Sequence, residues 1–213
     1  MFYFFKIPTF IQKIYPNYLW TIPNDTKTIY LTFDDGPTKK YTDWILKELA
    51  KYKAKATFFC EGQNVKKHAK QLNKIVKGGH QIGNHSFSHL NGWFTNTEHY
   101  INDVLKAEKE IEKFQDKAKI SKLFRPAYGK IKAKQAKILQ KKGYTIVMLD
   151  VISGDFDRSI KPEKSLLKIL RHTKQGSVVV FHDSKKAFNT LQYILPRALK
   201  KWTEKGYNFS VIS

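Results

Sequence analysis

From residue 27 onward, short apolar runs alternate with longer segments whose apolar positions recur at helical spacing. Thr28-Ile29-Tyr30-Leu31-Thr32-Phe33 reads as a strand, and it ends in Asp34-Asp35-Gly36-Pro37, a turn signal. Trp44, Ile45, Leu46 and Leu49 then form one helical face. Ala56–Cys60 is the next predicted strand, followed by a Lys-rich helix through Val76 and a third strand over His80–His85. Ile101, Val104, Leu105, Ile111 and Phe114 mark the buried stripe of a long helix over Tyr100–Phe114. Further strands are predicted at Lys122–Arg125, Tyr144–Leu149, Ser177–Phe181 and Tyr207–Ile212, with helical patterns over 131–142, 162–172 and 187–205 between them.

Strands that alternate with helices without a long linker predict a parallel α/β fold of about seven strands. Runs such as Ile146-Val147-Met148-Leu149 and Val178-Val179-Val180-Phe181 suit strands covered on both faces. Pattern alone leaves an irregular (β/α) barrel and an open doubly wound sheet as alternatives. Neither glycine-rich phosphate fingerprint, G-x-G-x-x-G or G-x-x-x-x-G-K-[ST], occurs.

Composition narrows this further. At 213 residues and 41% hydrophobic content the chain reads as one domain, and 14% aromatic residues argue against disorder. A single cysteine, Cys60, permits no intrachain disulfide, and no apolar run reaches the length of a membrane-spanning helix. The charge is extreme, with 39 Lys plus Arg against 18 Asp plus Glu, a net of +21. Only four of the cations are arginines, and the lysines are scattered in ones and twos. Nucleic-acid recognition favours the bidentate guanidinium, so the expectation is a solvated cationic coat with no specific nucleic-acid partner.

Residues 1–26 have a different texture: Phe2, Tyr3, Phe4, Phe5, Phe10, Tyr15, Tyr18 and Trp20 are interrupted by Pro8, Pro16 and Pro23. Lys6 and Pro8 break the apolar part and no A-x-A site follows, so the segment does not read as a secretory signal. The expectation is an aromatic arm packed on a domain of residues 27–213, with an interfacial membrane contact as the sharper alternative.

Chemistry-bearing residues fall repeatedly at predicted strand ends, the edge where active sites assemble in parallel α/β folds. Asp34 and Asp35 end the first strand, His85 the third and Arg125 the fourth. Asp155 follows the fifth, and His182-Asp183 end the sixth. In His85-Ser86-Phe87-Ser88-His89 two imidazoles four residues apart share one side of a helical turn, and so can grip one metal ion. Side chains alternate at a strand end, so Asp34 and Asp35 divide naturally into one ligand and one base. Two histidines and one carboxylate leave metal positions open, the catalytic arrangement, and His182 is placed to act as an acid.

Together these segments resemble the polysaccharide deacetylases of carbohydrate esterase family 4, the NodB-homology domain. The resemblance covers about residues 27 to 213. It rests on Thr32-Phe33-Asp34-Asp35-Gly36-Pro37, His85-Ser86-Phe87-Ser88-His89, Arg125-Pro126-Ala127-Tyr128-Gly129 and Val180-Phe181-His182-Asp183. It implies a distorted (β/α) barrel and a hydrolase that removes N-acetyl groups from N-acetylglucosamine units of chito-oligosaccharide or peptidoglycan. Asp35, His85 and His89 are implied as ligands of one divalent ion, most often zinc, with cobalt able to substitute. Asp34 is implied as the base, with Arg125 pairing with it. The Tyr128 N–H is implied as an oxyanion donor, and His182 as the acid, with Asp155 orienting it and raising its pKa.

Two departures stand out. The family's D-x-x-D-W motif reads Ile152-Ser153-Gly154-Asp155-Phe156, which keeps the second Asp but places Ile152 and Phe156 at the expected groove wall. Ala127 stands where a second proline is frequent. Trp93 is expected to pack in its loop, with sugar stacking as the alternative. Cys60 is expected to be inert, and His68, His80, His99 and His172 to be surface or packing residues. An O-acetyl esterase acting on acetylxylan and a non-catalytic glycan- or polyanion-binding module are the other functional readings. The coat is expected to hold a monomer near an anionic envelope, and localisation stays open.

Overall fold

The computed structural model describes residues 4–114 and 122–213, so Phe2 and Tyr3 of the arm lie outside the described residues. In chain order the first half contains α1 (Thr9–Ile14), β1 (Thr28–Asp34), α2 (Tyr41–Lys51), β2 (Ala56–Cys60), α3 (Gly62–Lys67), α4 (Ala69–Lys77), β3 (Gln81–Asn84) and α5 (Thr97–Ile111). The second half contains β4 (Leu123–Phe124), α6 (Ala133–Lys141), β5 (Thr145–Ile146), β6 (Val151–Ile152), α7 (Pro162–His172), β7 (Val178–His182), α8 (Phe188–Glu204) and β8 (Asn208–Phe209). The strands pair in parallel in the order β5-β4-β3-β2-β1-β7-β6, and β8 pairs with the start of β1. This is a curled half-barrel, the distorted (β/α) barrel that the resemblance implied.

The strand period of two sorts the central residues between two cores. Every residue of β1 is buried. Ile29, Leu31 and Phe33 face the helix layer with Phe58, Val179 and Phe181, where Phe33 stacks on Phe58 and Phe181 at 5.1 and 5.5 Å. Tyr30 faces the other way, into a floor made with Phe59, Leu123, Val147, Val178 and Ile212. On that inner face the next positions are Thr32 and Asp34, and β7 follows the same rule with Val178, Val180 and His182. Asp34 and His182 are register partners, so alternation alone brings both to the C-terminal rim above a sealed apolar floor.

Two predicted elements are divided. The strand expected over Tyr144–Leu149 is interrupted after Ile146, and pairing resumes at Val151 with β7. The Lys-rich helix breaks at His68 (φ −126°, ψ 43°) into α3 and α4, which lets Val65 and then Leu72 and Ile75 each reach the core.

The arm runs along the two free sheet edges. Ile7 N–H donates to Asp150 O (2.9 Å) and Ile152 N–H to Phe5 O (3.0 Å), while Leu19 N–H donates to Ile146 O (2.8 Å) and Met148 N–H to Leu19 O (2.7 Å). Backbone groups that an open edge would leave unpaired are thereby satisfied. Leu19 and Ile22 pack on the barrel floor. Fully buried Asp150 clasps the arm: Lys6 Nζ lies 2.6 Å away, and Gln12 Nε2 and Ser177 Oγ donate at 3.3 and 2.6 Å. Lys6→Met strips this carboxylate of its cation. It is expected to lower stability by about 2 kcal/mol, the buried-pair penalty discounted for the exposure of Lys6, as read by denaturant unfolding.

Candidate active site

Arg125, at the end of β4, reaches across the barrel mouth and is nearly fully buried. Its Nη1 donates to Asp34 Oδ1 (2.8 Å) and Thr32 Oγ1 (2.7 Å), and its Nη2 to Met148 O (2.9 Å). The guanidinium lies 4.0 Å from the Phe59 ring centroid. Gly83 makes room for that ring, because a Cβ there would fall 2.5 Å from Phe59 Cδ1. Burial lowers the Arg125 pKa and the Asp34 carboxylate opposes the shift. A buried cation needs such a partner, and Asp34 is held in one orientation as a result.

Asp35 turns away from its neighbour through a left-handed backbone (φ 76°), braced by Asn64 Nδ2 donating to its carbonyl (2.7 Å). Its Oδ1 lies 3.4 Å from His89 Nε2 and 3.8 Å from His85 Nε2, and one ligand atom from each of the three residues falls within 4.8 Å of the others. The two adjacent carboxylates thus face different partners, Asp34 the Arg125 guanidinium and Asp35 the two imidazoles.

The histidine segment differs from the helical turn expected of it. His85–His89 is an irregular loop with Ser86 and His89 at φ 65° and 55°. Its donors go to side chains instead of to carbonyls one helical turn back: Ser86 N–H bonds Asn84 Oδ1 (2.8 Å), and Phe87 and Ser88 N–H both bond Asp103 Oδ2 (2.8 and 3.0 Å). Asp103 sits on α5 and carried no motif signal. Its only trace in the sequence is an acid inside the buried stripe of that helix.

The donor chemistry of the triad fits a divalent ion. His85 Nδ1 lies 2.8 Å from Arg125 O, which fixes that nitrogen as the N–H and leaves Nε2 as a lone-pair donor toward Asp35. Burial lowers the His85 pKa, favouring the neutral ring that a ligand requires. Burial alone would raise Asp35, yet the His89 hydrogen bond and the nearby His182, His85 and His89 rings hold it well below the usual carboxylate range. Burial likewise works against His89, which the Asp35 carboxylate nevertheless raises.

On the other side of Asp34, His182 Nδ1 meets Asp155 Oδ1 at 2.7 Å, and the second oxygen of this fully buried carboxylate accepts the His182 backbone N–H (2.8 Å). Burial pulls the imidazole pKa down, but the Asp155 charge and hydrogen bond outweigh it and push it up to about 9. Phe156 stands edge-on to His182 at 5.0 Å, while Ile152 is in register with Val180. Buried Asp183 accepts from Thr38 Oγ1 (2.8 Å) and from Thr42 Oγ1, and its N–H bonds Asp34 O (2.8 Å), bracing the turn. Glu61, another buried acid that the motifs did not flag, has a pKa raised chiefly by burial and lies within electrostatic reach of His89 and Asp35.

Tyr128 occupies a left-handed turn (φ 59°) and its exposed ring meets His89 at 4.6 Å. Trp93 is also exposed, with its indole N–H on Ile131 O (3.3 Å), which departs from the packed loop aromatic expected. Cys60 is fully buried on the helix-facing side of β2. His80 accepts the Ala56 N–H and packs on Phe58.

Fold and site together define a parallel α/β barrel with a two-histidine, one-carboxylate triad beside a separate carboxylate–guanidinium pair and a histidine–aspartate pair. The polysaccharide deacetylase family matches residues 21–147. A peptidoglycan-N-acetylglucosamine deacetylase of Bacillus cereus is 33% identical over 195 residues, covering 91% of this chain and 90% of that protein. The crystal structure of the Bc1960 peptidoglycan N-acetylglucosamine deacetylase aligns with a TM-score of 0.87 at 28% identity, covering 97% of this chain and 95% of that one. BA3943 of Bacillus anthracis, a CE4 family pseudoenzyme, aligns at 0.79 and 25% identity, covering 91% and 66%. The chain belongs to the polysaccharide deacetylase family, as a NodB-homology domain of carbohydrate esterase family 4.

Proposed function

We propose that the chain is a glycan N-deacetylase acting on N-acetylglucosamine units of peptidoglycan or chito-oligosaccharide. The observation that carries this reading is the placement of Asp34 between the Asp35–His85–His89 triad and the His182–Asp155 pair on one rim. Asp35, His85 and His89 would hold one divalent cation, for which two imidazoles and a carboxylate suit zinc. When bound, the ion supplies Lewis acidity, making water more acidic and polarising the acetamide carbonyl.

The remaining steps belong to the chain's own groups. Asp34, oriented by Arg125, takes a proton from the attacking water. The Tyr128 N–H donates to the carbonyl oxygen as negative charge develops there. His182 gives its Nε2 proton to the departing nitrogen, and Asp155 fixes the tautomer that makes this possible. The C–N bond breaks, leaving acetate and a free amine on the sugar.

Metal-loaded protein is expected to release acetate from N-acetylglucosamine oligomers, to lose that activity to a chelator, and to regain it with Zn²⁺ or Co²⁺. Equal turnover by a sample verified metal-free would sink the mechanism. Tight glycan binding without acetate release would mark a binding module instead.

A further inference from the structure

Beside the triad lies a second built surface. The loop Asn91–Thr95 is clamped onto the segment after Tyr128. Gly92 N–H donates to Lys130 O (3.2 Å), and the buried Gln135 amide donates to Gly92 O (3.0 Å) and Thr95 O (3.3 Å). Lys132 Nζ reaches Thr95 O at 2.9 Å. The approach is so close that a Cβ on Gly92 would fall 2.5 Å from Lys130 O. Backbone and amide groups are thus fixed, yet the two rings this loop carries stay in solvent: Trp93 is 55% exposed and Phe94 83%. Rings that served only packing would be covered by so tight a loop. Lys130 Nζ sits 5.1 Å from the Trp93 centroid and 5.9 Å from that of Phe94, adding a cation to the rings. The strip is continuous with the site, because Tyr128, two residues before Lys130, touches His89.

We propose that Trp93, Phe94 and Lys130 form an outer subsite for the glycan, and that Lys130 favours substrates whose neighbouring sugar carries a carboxylate. This rests on the glycan-deacetylase reading. Exposed rings on a fixed backbone offer apolar faces to the C–H face of a pyranose, with little backbone to order on binding. A neutral glycan offers an ammonium no counter-charge at that point, whereas the lactyl carboxylate of a peptide-free N-acetylmuramic unit pairs with it as a point charge. The occupant favoured is therefore a muramic-acid-containing strand whose lactyl carboxylates carry no peptide, over neutral chitin.

The test compares wild type, Trp93→Ala/Phe94→Ala and Lys130→Gln on two tetrasaccharides. One is N-acetylglucosamine alone, and the other alternates it with N-acetylmuramic acid bearing a free carboxylate. Acetate release gives kcat and KM, and calorimetry with metal-loaded protein gives binding independently of turnover. Wild type is expected to favour the carboxylated tetrasaccharide at least about fivefold in kcat/KM, and Lys130→Gln to lose that preference. The double variant is expected to raise KM and Kd roughly tenfold on both glycans while kcat changes little, and Trp93→Phe is expected to restore part of the loss. Melting temperatures check that the variants are folded. Values within twofold of wild type for the double variant, or a carboxylate preference that survives Lys130→Gln, would overturn the subsite. If wild type releases no acetate but the binding differences persist, the deacetylase reading fails and the subsite stands.

Discussion

Asp34→Asn is expected to cut kcat for acetate release by about a thousandfold, within the span that a general base contributes, while the triad keeps its affinity for Zn²⁺. The substitution preserves shape and leaves an amide oxygen for Arg125 Nη1, now 2.8 Å from Asp34 Oδ1, but removes the carboxylate proposed to accept the proton of water. It also leaves the guanidinium buried without its counter-charge, at a cost of about 3 kcal/mol in stability. The two effects separate cleanly: turnover is read on protein shown to be folded, and stability is read by unfolding. Turnover within tenfold of wild type would remove Asp34 from the role of base.

The second large effect concerns pH. His182 must carry a proton to act as an acid, and Asp155 pushes its pKa up to about 9, against the opposing pull of burial. The alkaline limb of kcat is therefore expected near pH 9. In Asp155→Asn the raising charge is gone and burial remains, so the limb should move acidward by about two pH units or more. The rate should fall only a few-fold at neutral pH but roughly a hundredfold above pH 9, where only the wild-type imidazole still holds its proton. A bound cation shifts both proteins in the same sense, so the difference between their profiles is the diagnostic quantity. Linkage has the same sign. The native-state pKa lies above the unfolded value near 6.5, so the stability from this pair is full below that pH and is lost as pH rises through about 9. Coincident profiles for the two proteins would take His182 out of the acid role.

Much of this centre was readable from period and punctuation. The alternation of β1 put Thr32 and Asp34 on one face, and the turn chemistry after them marked the rim where Asp35 diverges. The strand ends carrying Arg125 and His182 followed from the same rule, and with them the parallel α/β class, whereas the choice of a barrel over an open sheet came only from the family resemblance. What stayed hidden depends on contacts distant in sequence. The His85–His89 loop takes its shape from Asp103 on α5, which no local spacing reveals. Nothing in the expected aromatic arm foretold that its backbone would pair with both free sheet edges, because edge pairing is set by where the barrel stops closing. The division of the predicted strand at Tyr144–Leu149 has the same origin, since Met148 N–H bonds Leu19 of the arm. The replacement of a motif Trp by Phe156 was visible, but its consequence was not: the ring stands edge-on against the imidazole of His182, the residue proposed as the acid.

The proposed reaction breaks an amide bond on a sugar nitrogen. It is tested most directly by counting both products formed by metal-loaded protein from an N-acetylglucosamine oligomer, acetate in solution and free amine on the glycan. Equal molar amounts of the two are expected, growing together with time and absent in Asp34→Asn. Acetate released from acetylxylan with no amine formed on the N-acetylated oligomer would contradict it and place the activity on esters.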